Sequence, residues 1–196
     1  MLFSNLNYPA SPAFAQVTFF EEEVTGDGMV ADNFKYFTGK EIMDTDRHMW
    51  KHPVIFLSMK SAKQPDFETA YNRLLMDIVS EFERHSYLLG KDVLTPAQKK
   101  RYNAILECKA GLAEYSVSLK FLSDCLEKYH HEKTIILIDE YDVPLENAYL
   151  KRFYDKMVDF IRSLLEAALK ANDSLQFAVI TGCLRITVRK YFYWGK

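Results

Sequence analysis

Asp139, Glu140 and Asp142 put three carboxylates within four residues, directly after the apolar run Thr134–Ile138. An apolar, β-branched run of this length reads as a buried strand, so these acids stand at its carboxyl tip, in the form of a Walker B element. Two neighbouring carboxylates there can divide the work of a phosphate centre. One holds Mg²⁺ through its water shell beside the phosphates, and the next orients or polarises an attacking water. Successive residues on a strand point opposite ways, so one Asp-Glu step would serve two sides of one site. The same acids also suit a solvated helix start, because carboxylates favour helix N-termini. Asp142 is equally placed to cap the helix that follows.

A phosphate centre of this kind needs a partner, the run G-x-x-x-x-G-K-[ST], whose backbone N–H groups and lysine cradle the phosphates. Of seven glycines, three precede a lysine: Gly39, Gly90 and Gly195. The residues five positions before them are Phe34, His85 and Lys190, and no Ser or Thr follows Lys40 or Lys91. The 196 residues therefore hold no Walker A run. His48 and His52 have the i, i+4 spacing of a metal pair, but Pro53 follows at once and no third ligand is evident, so a surface pair is the expectation. His130-His131 reads as helix-end polarity. No G-x-S-x-G elbow is present and no cysteine has a motif-placed histidine.

The elements that must position the acids follow from periodicity. Pro53–Met59 reads as a first buried strand. Phe67, Tyr71, Leu74, Leu75, Ile78, Val79 and Phe82 mark an amphipathic helix with Asp66 as N-cap. Gly90 interrupts it. Thr95-Pro96 opens a further helix, which Gly111 breaks, and Ser118–Tyr129 carries a third helical face. After the second strand, Thr134–Ile138, Pro144 is expected to end the turn. Leu150 through Ala168 then reads as one long helix, and Leu175–Ile180 as a third strand ended by Thr181-Gly182. Upstream, Gly26-Asp27-Gly28 marks a turn and Asn33–Phe37 the start of a short helix. Strands alternating with helices imply an α/β fold with a parallel sheet, and strands apolar end to end imply cover on both faces.

Composition sets outer limits. The chain is 48% hydrophobic and 27% charged, with a net charge of −2, which argues against disorder and a membrane span and lends nucleic acid no support. The cations Arg185, Arg189, Lys190 and Lys196 read as a solvated end. Three widely spaced cysteines, Cys108, Cys125 and Cys183, suit reduced thiols and a cytoplasmic location. Residues 1–16 read as an irregular lead-in with neither a signal peptide nor a transmembrane helix.

The segment IILIDEYDVPLENAYLKRFYDKMVDFIRSLLEAALKANDSLQFAVITGCLRI resembles the AAA-ATPase-like family of bacterial P-loop proteins, often found with a C-terminal nuclease-like domain. HPVIFLSMKSAK, FETAYNRLLMDIVSEFERH and YSVSLKFLSDCLEKYH resemble it too, and the likeness runs from about Phe19 to Ile186. It implies a partial P-loop NTPase-like parallel sheet, strands 2, 3 and 4 of the order 5-1-4-3-2, with flanking helices and a helical insertion. It also implies ATP and Mg²⁺ as ligands. Asp139 would be the Mg²⁺-side acid, acting through water, and Glu140 would orient the attacking water. Thr181 would stand where a polar residue reads the γ-phosphate, and Arg185 would approach the nucleotide.

Two departures from the family pattern bear on activity. Where the family has a strand and a Gly-Lys-Ser/Thr loop, this sequence has MLFSNLNYPASPAFAQVT. After CLRI it reads TVRKYFYWGK rather than a segment with Ile-Phe-Thr-Gly. One codon choice for Tyr191–Lys196, shifted by one base, reads Ile-Phe-Thr-Gly-Val, so the tail 187–196 is expected to be out of frame behind an incomplete domain at 17–186. On this reading the chain is a truncated ATPase core that binds Mg·ATP weakly or is inactive. The alternative is a non-enzymatic interaction module or pseudogene product, with a protein partner or a second copy at the sheet edge that strand 1 would otherwise fill.

Overall fold

The computed structural model describes residues 51–90 and 92–182. The lead-in, the turn at Gly26–Gly28, the helix from Asn33, His48, Cys183, Arg185 and the tail lie outside the described residues.

The first strand, β1, spans Val54–Ser58, one residue shorter at each end than the apolar run. Pro53 lacks an N–H, yet its carbonyl accepts from Ile135 at 2.9 Å. Helix α1 spans Phe67–Arg84, with the Asp66 carboxylate accepting the Thr69 N–H at 2.9 Å. A 3₁₀ turn at Ser86–Gly90 follows that helix. The insertion before the next strand holds α2, Pro96–Leu106, and the single turn α3, Leu112–Tyr115. Thr95 and Gln98 close a reciprocal capping box at the start of α2, which satisfies two otherwise orphaned N–H groups. Helix α4, Ser118–His130, ends on His131 in the left-handed region at φ 59°.

The second strand, β2, spans Thr134–Asp139, and β3 spans Leu175–Ile180. Between them lie two helices, α5 at Val143–Lys151 and α6 at Tyr154–Leu169. This corrects two expectations. Pro144 sits in the first turn of α5, where its missing N–H has no helical partner to lose, rather than ending a turn. The apolar spacing from Leu150 onward is not one helix: Arg152 takes φ 65° and the Phe153 N–H turns back to the Ala148 carbonyl at 2.9 Å. Leu150, which the periodicity assigns to the core face, is 69% exposed.

The three strands are parallel in the order β1-β2-β3, contiguous as strands 2, 3 and 4 of a P-loop-like sheet would be. The chain is thus α/β, with six α-helices among the described residues. Ile55, Leu57, Ile136 and Ile138 face the main core with Leu74, Ile78, Phe82, Leu122, Ile161 and Leu164 of the helices. Val54, Ile135 and Leu137 form a second cluster with Phe56 and Phe177 on the opposite face. The insertion is locked by two buried tyrosines. Tyr102 donates to the Phe82 carbonyl at 2.7 Å and Tyr115 to the Ile105 carbonyl at 3.2 Å. Left unbonded, each buried hydroxyl would cost about 1–3 kcal/mol. Among the described residues no helix is long and apolar enough to cross a membrane.

Candidate functional site

Strand β2 stops on Asp139, whose carbonyl accepts the Met59 N–H at 2.9 Å. The next residue, Glu140, takes φ 54°. A non-glycine residue there is uncommon and strained. Glu140 thus lies beyond the strand in a left-handed turn, so the strand pleat assumed from sequence does not extend to it. The Glu140 carbonyl then accepts the Val143 N–H at 3.1 Å, which closes the turn into α5.

The tip of β3 meets this turn. The Thr181 N–H donates to the Ile138 carbonyl at 2.8 Å, and the Tyr141 N–H donates to the Thr181 carbonyl at 3.2 Å. The Thr181 hydroxyl donates to Asp139 Oδ1. Two side chains 42 positions apart in sequence are thus joined across the carboxyl end of the sheet, where open α/β sheets bind ligands. Asp139 and Glu140 are half-buried and Thr181 is exposed.

Asp142 has a different place. It stands at the N-cap position of α5, but its side chain makes no capping bond. Its backbone is helical (φ −84°, ψ −21°), whereas a capping side chain needs extended backbone to reach the first-turn N–H groups. It is 1% exposed and packs against Gly182. A Cβ on Gly182 would come 2.8 Å from Asp142 Oδ1 and 2.8 Å from Tyr141 Cε1. From the sequence Gly182 reads only as a turn residue. Its signal was position, a glycine directly after the polar residue that ends a buried strand.

His52 donates from Nδ1 to the Lys133 carbonyl at 2.9 Å, so it ties the start of β1 to the start of β2. Among the described residues no three His, Cys, Asp or Glu side chains group to hold a metal ion. A Mg²⁺ site does not require such a group, because the ion is commonly held by one or two carboxylates, waters and substrate phosphates. The hard oxygens of Asp139 and Thr181 fit that chemistry. The open groove lined by Ser61, Gln64, Thr69, Asn72, Arg73 and Met76 includes none of the strand-tip residues.

The family model described as "Predicted AAA-ATPase" matches residues 27–192. No curated protein and no solved structure matches the chain. The matched span covers both strand tips and every helix described above, and the chain belongs to the AAA-ATPase-like family.

Proposed function

We propose that the tip of β2 and β3 is the acidic half of a Mg·ATP site, and that this chain binds the nucleotide weakly. The observation that carries this is the Thr181 hydroxyl on the Asp139 carboxylate, which brings a metal-compatible acid and a polar sensor together at the carboxyl end of a parallel sheet. Bound Mg²⁺ would neutralise charge on the phosphates. Asp139 would hold its water shell, with Thr181 fixing the carboxylate's orientation. Glu140, in the left-handed turn directly after Asp139, would orient the attacking water, and Arg185 would approach the phosphates. The free thiols Cys108 and Cys125 fit a reducing compartment such as the cytoplasm.

A second reading is favoured by a different observation: no G-x-x-x-x-G-K-[ST] run occurs in the 196 residues. Without that cradle most of the phosphate contacts are missing, and the chain would be a non-enzymatic α/β module with inherited acids. Titration calorimetry with Mg·ATP separates the two. The ATPase reading expects a dissociation constant of ~1 mM, about −4 kcal/mol, with binding abolished in Asp139→Asn. Absence of any binding overturns it in favour of the module. Micromolar binding unchanged in Asp139→Asn overturns both.

A further inference from the structure

His85, at the C-cap of α1, is buried with both ring nitrogens bonded. Nε2 lies 3.1 Å from the Val54 carbonyl of β1 and 3.3 Å from Glu81 Oε1. Both neighbours are acceptors, so Nε2 carries a hydrogen. Nδ1 lies 3.2 Å from the Tyr87 hydroxyl in the 3₁₀ turn, and that oxygen lies 2.8 Å from Nε2 of His130, the last residue of α4. The Tyr87 ring also packs edge-on against Tyr129 at 5.2 Å and His130 at 5.9 Å. Glu81, His85, Tyr87 and His130 thus form one hydrogen-bonded line, and the proposed nucleotide site uses none of them.

A hydroxyl has one hydrogen to give. When His85 is neutral its Nδ1 bears none, so Tyr87 donates to it, and His130 Nε2 donates to the Tyr87 oxygen. This holds whatever else Tyr87 touches. When His85 is charged, Nδ1 donates to the Tyr87 oxygen and the hydroxyl hydrogen is released, with His130 Nε2 2.8 Å away to accept it. Among the described residues the other charged or titratable groups around this line are Arg84 of α1, Tyr102 of α2, and Tyr129 and His131 at the end of α4. Arg84 is paired with Glu81 at 2.6 Å, and burial raises the Tyr102 hydroxyl and keeps it neutral. Desolvation, then the charges of His85 and His131, hold His130 down to about 4.

We propose that Glu81, His85, Tyr87 and His130 form a proton relay that makes the joint between α1, α4 and β1 sensitive to pH: a proton taken up at His130 appears as a charge on His85, and His130 changes tautomer without changing charge. The balance is simple. One proton enters at His130 Nδ1, the hydrogen on His130 Nε2 passes to the Tyr87 oxygen, and the hydroxyl hydrogen passes to His85 Nδ1. The single new charge then stands on His85, beside the Glu81 carboxylate. Charge-assisted hydrogen bonds are roughly twice as strong as neutral ones, so the bonds from His85 Nε2 to Glu81 and to the Val54 carbonyl tighten as pH falls.

Long-range proton–nitrogen NMR correlations of the histidine rings, which tell a hydrogen-bearing nitrogen from a bare one, test this on the full chain. The titration runs from about pH 8 to about pH 5, the interval in which an imidazole ordinarily changes charge. At the upper end His130 should carry its hydrogen on Nε2 and His85 should be neutral. As His85 gains its second hydrogen, His130 should move its own from Nε2 to Nδ1 with the same midpoint. In Tyr87→Phe, which keeps the ring and loses the hydroxyl, His130 should no longer follow His85. A His130 that keeps its Nε2 hydrogen while His85 becomes charged overturns the proposal without any variant having to fold. So does a His85 that holds one charge state across the interval, or a tautomer change that persists in Tyr87→Phe.

Discussion

Glycine at position 182 is set by space. Asp142 and Tyr141 fill the volume a side chain would need, and Asp142 is buried and cannot swing into solvent. Gly182→Ala should therefore destabilise the protein by about 1–3 kcal/mol, the usual range for overpacking a tight contact. Chemical denaturation reads this directly as a lower midpoint at unchanged slope. A midpoint equal to that of the parent would mean that the two strand tips separate easily and that the Asp139–Thr181 contact is not held by its surroundings. The acids themselves were legible in the sequence because they follow an uninterrupted apolar strand. The left-handed turn at Glu140 was not, since Glu has no preference for it. That conformation is imposed by the bonds of Thr181 and Val143 on either side.

At the scale of elements, local chemistry identified whatever it controls. Asp66 and Thr95 were read as caps from residue type and neighbours alone, and both accept the expected N–H. The three strands were visible as bounded apolar runs. The break between α5 and α6 was not, because it contains neither glycine nor proline and the apolar residues resume on the same side. Arg152 instead bears a left-handed conformation at φ 65°, where a side chain costs roughly 1 kcal/mol relative to glycine. Its exposed position leaves little packing to lose. Arg152→Gly should raise stability by about 0.5–1 kcal/mol, since helix ends of this shape favour glycine. Thermal unfolding monitored by circular dichroism checks it. A lower melting temperature would mean that the arginine side chain holds the junction more strongly than its backbone strain opposes it.

For the molecule as a whole, Glu81 ties α1 to the sheet by accepting the Phe56 N–H of β1 while pairing with Arg84 and His85, and this makes fold stability depend on pH. Burial by itself would raise the Glu81 carboxyl. The hydrogen bonds from His85 and Arg84, together with their charges, outweigh it and hold the group below its ordinary value of 4.5. The unfolded chain therefore takes up a proton at a higher pH than the folded one does. The stabilisation is complete above about pH 4.5 and is lost as pH falls from there through the lowered folded value. Asp77 works in the opposite sense. Burial raises it above its usual range against the Ser61 hydroxyl and Arg73, so its contribution favours the fold at low pH. Comparing the parent with Glu81→Gln cancels Asp77 and every other shared carboxylate. In urea titrations between pH 6 and 3, the parent's stability should fall more steeply in acid than that of Glu81→Gln, by up to about 1.4 kcal/mol per pH unit for one proton. The variant should be the less stable protein at neutral pH, and the two curves should converge in acid. Parallel curves would mean that Glu81 has the same affinity for protons in both states, and that its contacts with Arg84, His85 and the Phe56 N–H stabilise the charged and neutral forms alike.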